Sequence, residues 1–224
     1  MILDGRRTRQ FESSQLPKGD VCFPEAARSA GTVVRVDDAI ELPASCLEGP
    51  RVRLRKARDE DAEGLIETQT DERVRRYLGG PRPVEEVRAV FEGVGAATLL
   101  AAPGCYIATA RDSDEMLGTV TLSRRRNDVP GHLDPDGDEL ELSYVFRPHA
   151  WGRGYASEAA RLLLRYAAGE LGDQRVVIVT QTANRASLRL AERLGFNVVA
   201  TFEQYDAEQA LATAQLAAFL HTEV

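Results

Sequence analysis

The stretch ELELSYVFRPHAWGRGYASEAA, residues 139–160, decides the fold. Its first eight residues alternate: Leu140, Leu142, Tyr144 and Phe146 fall on one face, Glu139, Glu141, Ser143 and Val145 on the other, which is the period of a strand. A turn holding Gly152 and Gly154 follows. Then Ala156, Ala159, Ala160, Leu163 and Ala167 recur at spacings of three and four, the stripe of an amphipathic helix. A strand that runs through a glycine turn into a helix makes an anion cradle. The first helical turn leaves N–H groups unpaired, the helix dipole adds partial positive charge, and glycine lets a bulky anion approach the backbone. A tight turn without a ligand is the other reading of these letters. Two nucleotide-binding patterns fail. There is no Lys-Ser or Lys-Thr for a P-loop, and neither Ser157 nor the Thr180-Gln181 pair supplies the third glycine and the acid of a dinucleotide fingerprint.

Outward from this stretch the signals alternate. Val52 and Leu54 interleave with Arg51, Arg53 and Arg55, predicting a strand with one charged face. Asp59 is placed to cap a helix through Ala62, Leu65 and Ile66. A second helix is expected after Asp71, ending at Gly79-Gly80-Pro81, and a third over Val84–Phe91. Cys105–Ala110 and Met116–Leu122 read as a hairpin, and the segment from Asn127 to Asp138 as a polar loop. Val176–Val179 reads as a strand buried on both faces, and residues 186–194 as a helix closed by Gly195. Phe196–Phe202 and Leu211–Leu220 pair as a last hairpin, although the alanine-rich second segment also suits a helix. Residues 1–50 hold scattered Gly and Pro and little periodicity, with short strands suggested at Thr32–Val36 and Ala39–Leu42. They read as an irregular arm packed on the main domain or a partner subunit, or as a flexible tail, with Gly49-Pro50 as the boundary and 51–224 as the domain.

The 224 residues suffice for a sizeable core without metal or disulfide staples. A net charge of −7 argues against nucleic acid and weakly for a cationic partner. The basic run Arg124-Arg125-Arg126 reads as a solvated turn. Cys22, Cys46 and Cys105 are widely spaced and odd in number, and His132, His149 and His221 are scattered. This points to a reducing compartment and no metal site. No apolar run is long enough for an ordinary membrane span, and no secretory signal is recognisable, so a cytoplasmic location is expected.

The run from Glu141 to Ala159 resembles the acetyl-CoA motif of the GNAT N-acetyltransferases, most of all the Rim-type branch, which acetylates ribosomal-protein N-termini. A second segment, Asn184-Arg-Ala-Ser187 followed by Leu190-Ala-Glu-Arg-Leu-Gly-Phe196, is similar to that family's N-x-x-S…E-x-x-G-F pattern. The resemblance covers about Arg51 to Leu220. It implies an α/β (α+β) GNAT fold: a mixed, mostly antiparallel central sheet, splayed between two parallel strands and flanked by helices. It implies that pantetheine pairs with the backbone near Val145, Phe146 and Arg147. The pyrophosphate would sit on the amides of Gly152, Arg153, Gly154, Tyr155 and Ala156. Asn184 would hold the cofactor or cap its helix. His149 stands where the family has Gln or Arg. Because the cradle is mostly backbone, that departure is expected to matter little.

Acetyl transfer to a primary amine needs a neutral amine, a donor for the oxyanion and an exit for the thiolate. A lysine amine near pKa 10.4 is almost wholly protonated at neutral pH, whereas an α-amine near 7.7–8.0 is partly neutral. Glu141 matches the family's catalytic carboxylate and would act as base through water, with Glu139 on the same face as a competitor. A carboxylate among apolar neighbours makes a better base. Many relatives place a tyrosine acid where this chain has Ala191, so Ser187 is the replacement candidate. A helix-start hydrogen bond is its other reading. The oxyanion donor is expected to be a backbone N–H near Val145. Tyr77, Tyr205 and Asp206 occupy segments that line the acceptor groove in this family. The acceptor would be a protein or peptide N-terminus or a small amine, with a homodimer left open. A non-catalytic acyl-CoA-binding or interaction module is the alternative from another class.

Overall fold

The computed structural model describes residues 40–134 and 137–221. Eight strands form one sheet: β1 (Cys46–Glu48), β2 (Val52–Arg55), β3 (Cys105–Ala110), β4 (Met116–Arg124), β5 (Leu140–Phe146), β6 (Arg175–Gln181), β7 (Asn197–Gln204) and β8 (Ala207–Gln215). Their order is β1-β2-β3-β4-β5-β6-β8-β7. Every neighbouring pair is antiparallel except β5 and β6. Those two strands of seven residues pair only at Leu140↔Val176 and Glu141↔Val177. Beyond Glu141 they part, and the sheet opens as the resemblance implies.

Helices α1 (Ala62–Thr70), α2 (Glu72–Arg75), α3 (Val84–Val94) and α4 (Ala96–Leu99) lie between β2 and β3. Asp71 caps α2, accepting from the N–H groups of Arg73 and Val74. Helix α5 (Tyr155–Leu171) follows the glycine turn, and α6 (Arg185–Leu194) follows β6. The stripe of α5 is rich in alanine, and Ala159, Ala160, Leu163, Leu164 and Ala167 are wholly buried. Small side chains let this helix lie close to Leu140, Leu142, Val176 and Ile178, which share its core. A second core gathers Leu65, Ile66, Val87 and Phe91 over Cys105, Ile107 and Met116. It reaches the sheet only at β3 and β4. By the register of the ladders, the face of β5, β6, β8 and β7 turned away from α5 carries Glu141, Val177, Val179, Leu211, Gln209 and Phe202.

Several local readings shift. Arg55 does not face water: it is buried and bonds Asp61 through both terminal nitrogens at 2.8 Å. Asp59 sits in a 3-10 turn ahead of α1 and accepts from the Ala97 N–H at 3.0 Å instead of capping its own helix. Gly49-Pro50 is the turn of the β1–β2 hairpin, with the Gly49 N–H donating to the Val52 carbonyl at 2.8 Å. Upstream of it, Ile40 and Leu42 are buried in the α5 core without forming a strand. Ala44 is held at both ends, its carbonyl by the Tyr106 hydroxyl and its N–H by the Tyr166 oxygen. The strand expected over Thr32–Val36, and Cys22, lie outside the described residues. The alanine-rich C-terminal segment is strand β8 through Gln215, followed by a single 3-10 turn, Leu216–Phe219. β8 lies between β6 and β7 and buries Ala210 and Ala212, so ladder pairing on both edges overrides alanine's helical preference.

Candidate active site

A 3-10 turn, Pro148–Ala150, leads from β5 into the glycine turn. Gly152 and Gly154 both have positive φ, 73° and 83°, a conformation that costs any residue with a Cβ. This curl directs successive amides outward ahead of α5. Among the described residues, no group accepts from the N–H of Gly152, Arg153, Gly154, Tyr155 or Ala156. A Cβ at Gly152 would meet nothing within 4 Å, so the space above the turn is open. Five free amides at a helix N-terminus fit a pyrophosphate. The turn is braced from below. The Trp151 indole N–H donates to the Phe146 carbonyl at 2.7 Å, and His149 lies 3.3 Å from Glu115. Glu158, one turn into α5, accepts from the N–H groups of Arg51 (2.6 Å) and Val52 (2.9 Å) and from Arg51 Nε (2.8 Å). Arg51 in turn donates to the Arg153 carbonyl at 3.0 Å and stacks over the Tyr155 ring. Sequence reading missed Glu158, since nothing in its spacing reveals a partner more than a hundred residues away.

The open edge of β5 can be read from its ladder. The Arg147 N–H donates to the Leu117 carbonyl and the Arg125 N–H to the Glu139 carbonyl. With no register shift between β4 and β5, the odd-numbered residues of β5 turn their backbone groups to β4 and the even-numbered ones to the opening. The backbone of Val145 therefore faces β4, as does the Arg147 N–H. Tyr144 and Phe146 face the gap left by β6, and there the Phe146 carbonyl already holds Trp151. The backbone groups of β5 that face the splay are therefore those of Tyr144 and Phe146. The side chain of Arg147 is engaged elsewhere, with Glu67 of α1 (Nε–Oε2 2.7 Å) and the Met116 carbonyl.

Glu141 lies at the last paired position before the strands part, on the face away from α5. Its neighbour is a guanidinium: Arg125 Nη1 donates to Glu141 Oε2 at 2.8 Å. Arg125 is 5% exposed, so the middle of the basic run is no solvated turn. It also holds the Pro130 carbonyl, and its Nε is buried with no partner among the described residues. The loop residues 125–131 thereby lie over the face that bears Glu141, and Gly131 lies so close to the Phe202 ring that a Cβ would stand 2.2 Å from it. Glu139 is committed to the same loop. It is buried and accepts from His132 Nδ1 (2.8 Å) and from the N–H groups of Leu133 (2.7 Å) and Asp134 (3.3 Å). Burial alone would raise its pKa. The hydrogen bonds from His132 and the backbone outweigh burial and hold it below the usual carboxylate range. Of the two carboxylates, Glu139 is buried against the loop and Glu141 keeps its side chain partly exposed, 26%.

Ser187 lies in the first turn of α6. Its N–H donates to Asn184 Oδ1 at 3.2 Å, so Asn184 caps this helix. The Ser187 hydroxyl is 2.7 Å from the Tyr144 hydroxyl, a partner that the sequence places only on the Leu140–Leu142 face of β5. Tyr77 follows α2, with the Arg76 guanidinium 5.5 Å from its ring. Tyr205 and Asp206 form the β7–β8 turn, both with φ near 55°, at the end of the sheet where β6 gives way to α6.

A sheet opened between two parallel strands, with free amides beside the opening and a carboxylate where the strands part, is an arrangement that can hold an extended acyl carrier. The comparisons agree. The chain belongs to the GNAT acetyltransferases: the model described as "Acetyltransferase (GNAT) domain" matches residues 51–197. It is an acetyl-CoA-dependent N-acetyltransferase. It is 28% identical to the uncharacterized N-acetyltransferase YoaA of Bacillus subtilis over 71% of this chain and 86% of that one. It is 30% identical to the FsC-acetyl coenzyme A-N(2)-transacetylase of Aspergillus fumigatus over 71% of this chain and 68% of that one. A crystal structure of a GNAT acetyltransferase from Bacillus anthracis aligns with a TM-score of 0.61 at 22% identity, covering 76% of this chain and 98% of that one. Among the described residues no helix is long and apolar enough to cross a membrane.

Proposed function

We propose that the protein acetylates a primary amine by direct attack on acetyl-CoA in a ternary complex, with Glu141 as the base and an N-terminal α-amine as the preferred acceptor. The observation that carries this is the position of Glu141. It ends the paired part of β5, where the two parallel strands begin to part, stays partly exposed and is fixed by the buried Arg125. The cradle amides of residues 152–156 would hold the pyrophosphate. The backbone of Tyr144 and Phe146 would meet the pantetheine arm or the oxyanion.

Carboxylates are weak bases toward ammonium ions, so the amine must arrive neutral and lose its proton as the bond to carbon forms. At pH 7 roughly a tenth of an α-amine is neutral, against roughly one lysine in 2,500. That ratio favours an N-terminus. Ser187 at the start of α6, with Ala191 where a tyrosine acid would stand, supports the Rim-type branch. The Aspergillus relative, named for transfer to an N(2) nitrogen, keeps a small amine as the second acceptor class.

The test is thiol release from acetyl-CoA with three probes: a tetrapeptide with a free α-amine, an α-acetylated peptide bearing lysine, and spermine. The free α-amine should be turned over fastest. Glu141→Gln should lower kcat by about 10² or more and leave acetyl-CoA affinity unchanged. A Glu141→Gln protein with wild-type kcat would overturn the assignment of the base. Faster turnover of the lysine peptide would overturn the acceptor class.

A further inference from the structure

The Tyr144–Ser187 contact bridges the one part of the sheet that backbone pairing leaves open. Tyr144 is three residues past the last β5–β6 pair, and Ser187 lies on the helix that follows β6. Two hydroxyls 2.7 Å apart share one proton in their bond, and the second proton is left over. Which hydroxyl keeps it follows from their chemistry. A phenol is a stronger acid than an aliphatic alcohol and so the better donor. The Tyr144 oxygen is also 3.5 Å from the Ser187 carbonyl, so both oxygens of Ser187 lie on its donor side. The serine hydroxyl rotates freely, which lets its own proton swing into the opening.

We infer that Tyr144 and Ser187 act as one hydroxyl pair that presents a single hydrogen-bond donor to the sulfur leaving acetyl-CoA, Ser187 as the donor and Tyr144 as the residue that positions it. The inference rests on the acetyl-transfer reading above and adds Tyr144 to it. Burial pushes the Tyr144 phenol up, more than the bond to Ser187 lowers it, so Tyr144 stays protonated at neutral pH and remains a donor. The step balances without ionising either residue. The amine nitrogen bonds to the carbonyl carbon, and the C–S bond breaks with its electron pair going to sulfur. The amine proton leaves toward Glu141. The thiolate departs holding the Ser187 hydrogen bond and later takes up the proton that the amine released. A thiol near pKa 8.5 needs no more than that bond to leave.

The pair can be read without an acceptor. In the full-length protein saturated with CoA, the bound thiol is titrated by its ultraviolet thiolate absorbance. The wild type should ionise it about one unit below the free thiol, near tenfold in the ionisation constant. Ser187→Ala should restore the free value. Tyr144→Phe should recover most of the same shift although it leaves the Ser187 hydroxyl in place. The double variant should go no further, since the two act as a unit. A wild-type thiol titration in Tyr144→Phe would overturn the positioning role, and additive shifts would overturn the pair. An unshifted thiol in bound wild type overturns the pair alone, whereas failure to bind CoA at all would overturn the acetyl-transfer reading beneath it.

Discussion

Replacing Glu158 by alanine is expected to cost about 3–5 kcal/mol of stability, and the structure divides that figure. Glu158 is 6% exposed, and both backbone bonds, from the N–H groups of Arg51 and Val52, end on the same oxygen, Oε1. Removing it orphans one buried donor, the Val52 N–H, and one part-buried donor, the Arg51 N–H, about 2–4 kcal/mol together. The other oxygen, Oε2, faces Arg51, whose side chain is 55% exposed, so solvent screens that contact to about 1 kcal/mol or less. Glutamine separates the parts. Its carbonyl can take the place of Oε1 and keep both backbone bonds, while its amide nitrogen loses Arg51, for about 1 kcal/mol. Urea unfolding at constant m-value measures both. For a domain of this size the alanine variant should melt roughly 6–20 °C lower. Because Arg51 also holds the Arg153 carbonyl, acetyl-CoA affinity should fall with it. A glutamine variant as damaged as the alanine variant, or an alanine variant within 1 kcal/mol of wild type, would refute the division.

Glu139 carries a pH signature. Its pKa is depressed in the folded state, so its stabilising contribution is complete above about pH 4.3, the unfolded glutamate value, and is lost as pH falls through the lower folded value. The stability gap between wild type and Glu139→Gln should therefore hold at neutral pH and narrow as pH falls below about 4.3, and a constant gap would contradict the assignment. Leu163→Ala, wholly buried between α5 and the sheet, should cost about 2–5 kcal/mol by urea unfolding without changing the KM for acetyl-CoA.

What the sequence made legible was periodic or local. The alternation of residues 139–146, the glycine turn and the stripe of α5 recur in the structure at the places their spacing indicates. The cap at Asn184 needed only the following three residues. The unread parts depend on partners distant in the chain. Arg125 looked like one charge in a run because its acceptor, Glu141, lies across a loop and a ladder. Tyr144 could be placed only on a strand face because its hydroxyl finds Ser187 after β6 and α6 have returned beside β5. The backbone direction at Val145 follows from the β4–β5 register, which no spacing within β5 can fix. The alanine-rich β8 was ambiguous because its conformation is set by the two strands beside it.

The central claim is that residues 152–156 hold acetyl-CoA by their amides. Calorimetry on the full-length protein and on Gly152→Asp tests it most directly. At Gly152 a new Cβ enters open space, and aspartate bears the positive φ at less cost than most residues, so the variant places a carboxylate by the cradle without a clash. The account predicts acetyl-CoA binding to the wild type with Kd on the order of micromolar, some 8 kcal/mol, and loss of at least tenfold in the variant. Equal affinity in a folded Gly152→Asp protein, or no binding by the wild type, would contradict it.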